Sequence, residues 1–127
     1  MTRPIDEQLY EATRAGRIDW NFVPRDMLAR TSLSEEHVVG QPLRAKVGAR
    51  WFRLYEYRYK AWLDEDRYEW ARDVCLEVAD EATVPMSAPV PVDSHRWELL
   101  AEARKHAARL DALAQELEVT LATKKAV

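Results

Sequence analysis

Arg50-Trp51-Phe52-Arg53-Leu54-Tyr55-Glu56-Tyr57-Arg58-Tyr59-Lys60-Ala61-Trp62 is the stretch on which the fold turns. Six of these thirteen residues are aromatic, four are basic and only Glu56 is acidic. Two periods fit it. Trp51, Arg53, Tyr55, Tyr57 and Tyr59 alternate, as on one face of a strand, and aromatic side chains favour strands. Trp51, Leu54, Tyr55, Tyr59 and Trp62 are spaced by three and four, which places them on one side of a helix. Length breaks the tie. From Arg44 to Glu81 there is no proline, and after Gly48 no glycine. Apolar positions continue at helical spacing through Tyr68, Ala71, Val74, Cys75, Val78, Ala79 and Ala82. The expectation is one long helix, or two broken near Leu63–Glu65, with room for a short strand near 51–58.

Working outward, residues 6–16 read as a short helix that Asp6 can cap and Gly16 can stop in the left-handed conformation. Pro24 suits the first turn of a second helix, Arg25–Arg30. Residues 28–39 have the cadence of either a helix-turn-helix or a plain helical hairpin. Leu28 and Ala29 would pack inside, Thr31 to Leu33 would turn, Ser34 would cap and Val38 would face inward. Gly40 and Pro42 end any such helix near Val39. On the other side, Pro85, Pro89 and Pro91 forbid a helix over 83–92 and favour an extended crossing. Asp93 or Ser94 can then cap a final helix from His95 to about Thr123. Its residues Trp97, Leu100, Ala103, Ala107, Leu110, Leu113, Leu117 and Leu121 form an apolar stripe. The expected fold is all-α. It divides into an N-terminal helical region at 1–48, a central helical region at 49–82, a proline-rich linker at 83–92 and an amphipathic helix with its tail at 93–127.

The 127 residues suffice for one small domain, and 47% hydrophobic with 32% charged residues is ordinary for a folded protein. The net charge of −3 conceals a split. Residues 1–60 carry eleven basic and eight acidic side chains; residues 61–127 carry eight and fourteen. That favours an N-terminal half that approaches a polyanion and a C-terminal half that stays solvated or meets a partner. The single cysteine, Cys75, allows no intramolecular disulfide and reads as a buried thiol. No apolar run is long enough to span a bilayer, and the first residues carry no signal-peptide core, so the expected compartment is the cytoplasm. His37, His95 and His106 have no metal-ligand spacing. Asp66, Glu69, Asp73, Glu77 and Asp80 read as a solvated helix face rather than a cation site. There is no phosphate-binding glycine loop and no nucleophile–histidine arrangement. The expectation is a non-catalytic protein without cofactor or metal.

Two segments carry a family resemblance. Glu77-Val78-Ala79-Asp80-Glu81-Ala82 and Val92-Asp93-Ser94-His95-Arg96-Trp97 resemble the end of the long charged helix, and the restart after a variable loop, in the small terminase subunits of tailed phages. Trp51 and Phe52 fall roughly where that family's helix-turn-helix gives way to its long helix. The resemblance implies a non-catalytic subunit that recognises viral double-stranded DNA at the start of packaging. It also implies assembly into rings, delivery of DNA to a large ATPase–nuclease subunit, and work in the host cytoplasm. On this reading Arg14, Arg17, Arg25, Arg30, Arg44, Lys46, Arg50 and Arg53 meet phosphates. Trp51, Tyr55, Tyr59, Trp62, Trp97, Leu110, Leu113 and Leu117 join the copies of a homo-oligomer. Two other readings stand beside it. One is a helix-turn-helix transcription regulator that dimerises through its last helix. The other is a small helical adaptor or inhibitor that binds another protein through its aromatic run.

Overall fold

The computed structural model describes residues 2–24, 37–79 and 88–125. The chain runs α1 (Ile5–Arg14), β1 (Asn21–Phe22), β2 (Val38–Val47), β3 (Arg50–Trp62), β4 (Tyr68–Ala79), β5 (Ala88–Val90) and α2 (Arg96–Lys125). The strands form one antiparallel sheet in the order β1-β2-β3-β4-β5. The all-α expectation is therefore overturned: the fold is a mixed one, a sheet covered by two helices. The central helix at 49–82 is instead the hairpin β3–β4.

The hairpin forms because each strand finds a partner in register. Trp51 lies opposite Ala79, Tyr55 opposite Cys75 and Trp62 opposite Tyr68, with twelve paired positions in all. The reversal needs neither glycine nor proline. The carboxylate of Asp64 accepts hydrogen bonds from the backbone N–H groups of Asp66 and Arg67 at 2.9 Å each. Its other oxygen accepts one from Arg67 Nε at 2.7 Å. An aspartate that folds the chain over its own side chain is a turn former in its own right. These bonds hold the Asp64 carboxyl below the usual carboxylate range, the backbone bond from Asp66 contributing most.

The expected second helix of a helix-turn-helix also fails at its visible end, because Val38 and Val39 open β2 and pair with Tyr57 and Glu56. Its other members, Arg25–Arg30, Thr31–Leu33 and Ser34, lie outside the described residues. Gly40 and Pro42 sit at an irregularity in the β2–β3 register between Val39 and Leu43. Gly40 has φ +73°, and a Cβ there would come within 3.3 Å of Arg104 Nη2. The positive φ is what calls for glycine, and the Arg104 tip would need to give by only a few tenths of an ångström. Pro42 offers no N–H to the ladder, and its carbonyl accepts from Val23 N–H at 2.7 Å.

The two ends are closer to expectation. α1 stops at Gly16, which has φ +73°, as the left-handed stop requires. The linker is extended where it is described, with Pro89 opposite Glu77 in β5. α2 begins at Arg96 and runs thirty residues. Its N-terminal cap comes from across the molecule. Asp6 on α1 is fully buried and accepts from Asp93 N–H at 2.8 Å and His95 N–H at 3.2 Å.

Alternation assigns the two sheet faces. Leu43, Ala45, Leu54, Val74 and Leu76 share the face under the helices, in one cluster with Leu9, Ile18, Trp20, Leu99, Leu100, Ala103 and Ala107. Trp20 is wholly enclosed, and its indole N–H donates to Thr13 Oγ1 at 2.9 Å. α2 crosses the sheet from one edge to the other. Arg96 pairs with Asp73 of β4 at 2.6 Å. Arg104 pairs with Glu56 of β3 at 3.1 Å and donates to the Val39 carbonyl of β2 at 3.4 Å. Ala107, Leu110 and Asp111 line a depression with Asn21 and Phe22 of β1. Beyond that edge the helix continues, and residues 111–123 are all exposed. No helix among the described residues is long and apolar enough to cross a membrane.

Candidate nucleic-acid interface

The tight turn at Gly48-Ala49 joins β2 to β3 and sets the geometry of the most basic end of the sheet. On the face away from the helices, Arg44 stands opposite Arg53 and Lys46 opposite Trp51. The Arg44 guanidinium lies 5.7 Å from the centre of the Trp51 ring, within cation–π range. Lys46 and Arg50 are exposed, Arg44 is half-buried and Arg53 is buried. On the helix side, Val47 lies opposite Arg50. Val47 also lines a depression with Arg3 and Arg17. Arg17 is brought there by the stop of α1, where its N–H donates to the Ala12 carbonyl at 2.9 Å. Arg3 is already matched, since its guanidinium pairs with Glu11.

The structure thus gathers Arg17, Lys46 and Arg50 as exposed cations around one end of the sheet, with Arg44 and Arg53 behind them. Arg14 stands one turn back on α1 and packs its guanidinium over the Tyr10 ring at 5.6 Å. Arg25 and Arg30 lie outside the described residues.

The expected oligomer residues do not form one surface. Trp51 and Tyr55 share the face away from the helices, with Tyr55 buried, and Tyr59 lies exposed further along it. Trp62 is on the opposite face, at the far end of β3. Trp97 is exposed on the first turn of α2, and Leu110 is half-buried against β1. Leu113 and Leu117 stand exposed beyond the sheet. An adaptor that used Trp51 and Trp62 together would need one aromatic surface, and alternation along β3 separates them.

Sequence reading missed a second constellation. Past Tyr57 on β3 and Asp73 on β4 the hairpin continues, among the described residues, as a two-stranded arm: β2 pairs no further than Tyr57, with one more bond from Arg58 N–H to the His37 carbonyl at 2.8 Å, and β5 no further than Leu76. On its helix-side face Arg58 lies opposite Arg72, Lys60 opposite Trp70 and Trp62 opposite Tyr68. Lys60 Nζ is 4.6 Å from the centre of the Tyr68 ring, and Arg58 is 4.7 Å from that of Trp70. The signal was the alternation Tyr68, Trp70, Arg72, visible only once the segment is read as strand. The acidic residues of β4 are spread by the same geometry. Glu69, Asp73 and Glu77 share one face, and strand rise sets successive ones about 13 Å apart, too far to close on one cation. Among the described residues no group of His, Cys, Asp or Glu side chains is placed to hold a metal ion.

No known protein family, no curated protein and no solved structure matches this chain.

Proposed function

We propose that the chain is a non-catalytic DNA-binding protein that meets the phosphates of double-stranded DNA with the basic end of its sheet. The observation that carries this reading is the convergence of Arg17, Lys46 and Arg50 around the β2–β3 turn, backed by Arg44 and Arg53. Arg44, Lys46, Arg50 and Arg53 come from the two sides of one hairpin, and folding adds Arg17 from the end of α1. A patch of this kind contacts the backbone rather than base edges, so the binding is sequence-tolerant and sensitive to salt. Recognition through a helix-turn-helix is not part of it. A role in viral packaging is what the resemblance to small terminase subunits implies. The segments that carry the resemblance lie here on β4, outside the described residues, and at the start of α2.

The test is a fluorescence-anisotropy titration with a short duplex at low and raised salt. Binding should weaken steeply with salt. The pair Lys46→Glu and Arg50→Glu should reduce affinity by at least roughly tenfold without moving the melting temperature. Absence of binding at low salt would overturn the proposal.

A further inference from the structure

Among the described residues two surfaces lack a cover, and each has the chemistry of the other's missing partner. The first is the overhanging half of α2. Leu113, Leu117 and Leu121 are 49%, 50% and 57% exposed there. At 100° per residue, Leu110, Ala114, Leu117 and Leu121 fall on the same side of the helix as Ala103 and Ala107, which face the sheet. The stripe that covers the chain's own sheet therefore runs on, in phase, past the sheet's edge. The second surface is the arm of β3–β4. Trp62, Tyr68 and Trp70 are 60%, 41% and 48% exposed. They lie on the same sheet face that α2 covers nearer the centre, where Arg104 reaches Glu56. One is a helix stripe without a sheet, and the other is a sheet face without a helix.

Charge and size agree. The arm's face carries Arg58, Lys60 and Arg72 among its rings. The overhang carries Asp111, Glu116 and Glu118 with no basic residue from 111 to 123, and Lys124 and Lys125 only at its tip. Asp111 and Glu118 are seven residues apart and flank one side of the leucine stripe. The thirteen overhanging residues span about 20 Å of helix. The five residues of each arm strand, 58–62 and 68–72, span about 16 Å.

We propose that a second copy of this chain covers both surfaces. In a two-fold dimer the α2 overhang of each copy lies across the helix-side face of the other copy's β3–β4 arm. The exchange is reciprocal, because each copy brings one overhang and one arm. It repeats between chains the helix-on-sheet packing that builds the core within one. It removes from water a set of apolar side chains that a monomer would leave bare.

The test uses the full chain without nucleic acid, so its outcome is independent of the DNA reading. Sedimentation should give the mass of two copies. Lys60→Glu in the arm should raise the dimer dissociation constant by roughly tenfold or more through like-charge contact with the overhang. Asp111→Lys with Glu118→Lys in the overhang should do the same. All three positions are exposed, so each variant should keep the wild-type melting curve when dilute. Mixed together, the two variants should recover dimers, because the acidic arm of one then meets the basic overhang of the other while the wild-type arm and overhang meet in the second contact. A monomeric wild type at the highest soluble concentration overturns the proposal, as does a closed ring of many copies. So does an arm variant that dimerises as tightly as wild type, which would mean that overhangs pair with overhangs. Failure of the mixture to recover dimers overturns it as well.

Discussion

Asp6 shows how much a single buried carboxylate can hold. It is on α1, yet its hydrogen bonds go to the N–H groups of Asp93 and His95, at the entry to α2. Those donors have no intrahelical acceptor, and the negative charge sits at the positive end of the helix dipole. Asp6→Ala should cost about 1–2 kcal/mol in urea unfolding, the loss of the cap on two half-accessible backbone donors. A loss below about 0.5 kcal/mol would mean that water replaces the carboxylate freely. Cys75 makes a separate prediction. Burial pushes its thiol above the ordinary range, against a hydrogen bond from Tyr55 that pulls it down. The reactive form is the thiolate, so alkylation at neutral pH should be slower than for a free thiol. Its rate should keep climbing past the pH at which an ordinary thiol is half ionised. Mass-spectrometric time courses at several pH values would check this, and free-thiol kinetics would show that the face above Cys75 is open.

At the scale of elements, the decisive ambiguity was the 50–62 run. Both periods were present in it, and the long stretch without glycine or proline argued for helix. That argument failed because Leu63–Arg67 reverses the chain with a side-chain carboxylate, a turn that leaves no glycine or proline in the sequence. The cue lay in the cluster Asp64-Glu65-Asp66 between two aromatic runs. α2 was legible because its stripe is long and its start follows a proline run. The ion pairs that join these elements were not legible, since Glu56 and Arg104 are 48 positions apart. The Glu56 side chain is only 8% exposed and is held by Arg104 at 3.1 Å and by Arg72 at 3.4 Å. The Arg72 side chain is 64% exposed and that of Arg104 36%. The two sides of this contact are unequal. Glu56→Gln leaves guanidinium groups that can turn to water, and should cost about 1 kcal/mol. Arg104→Met leaves a buried carboxylate with one partner, and should cost about 2–3 kcal/mol. Equal losses in chemical denaturation would show that Glu56 reaches solvent.

For the whole molecule, the sequence told more about charge than about where charge would gather. The excess of basic residues in the first half was plain, but Arg17 joins Lys46 and Arg50 only because α1 stops beside the β2–β3 turn. The same holds for the leucine stripe, whose continuity hid a change of role at the sheet's edge. After the exposed Trp97 its side chains up to Ala107 are core, with Leu100, Ala103 and Ala107, and Leu99 beside them, no more than 2% exposed. From residue 111 to 123 every position is exposed. The helix therefore divides into a half that the fold requires and a half that it does not. A chain ending at Asp111 should keep its circular-dichroism melt, losing helical signal only in proportion to the residues removed. Measured at a dilution where copies are separate, its stability should match the full chain within about 0.5 kcal/mol, because residues 112–123 are all exposed. A chain ending at Glu102 loses Ala103, Ala107 and the Arg104 contact, and should not fold. If the Asp111 chain also unfolds, even when dilute, the overhang is holding its own domain together rather than reaching for another.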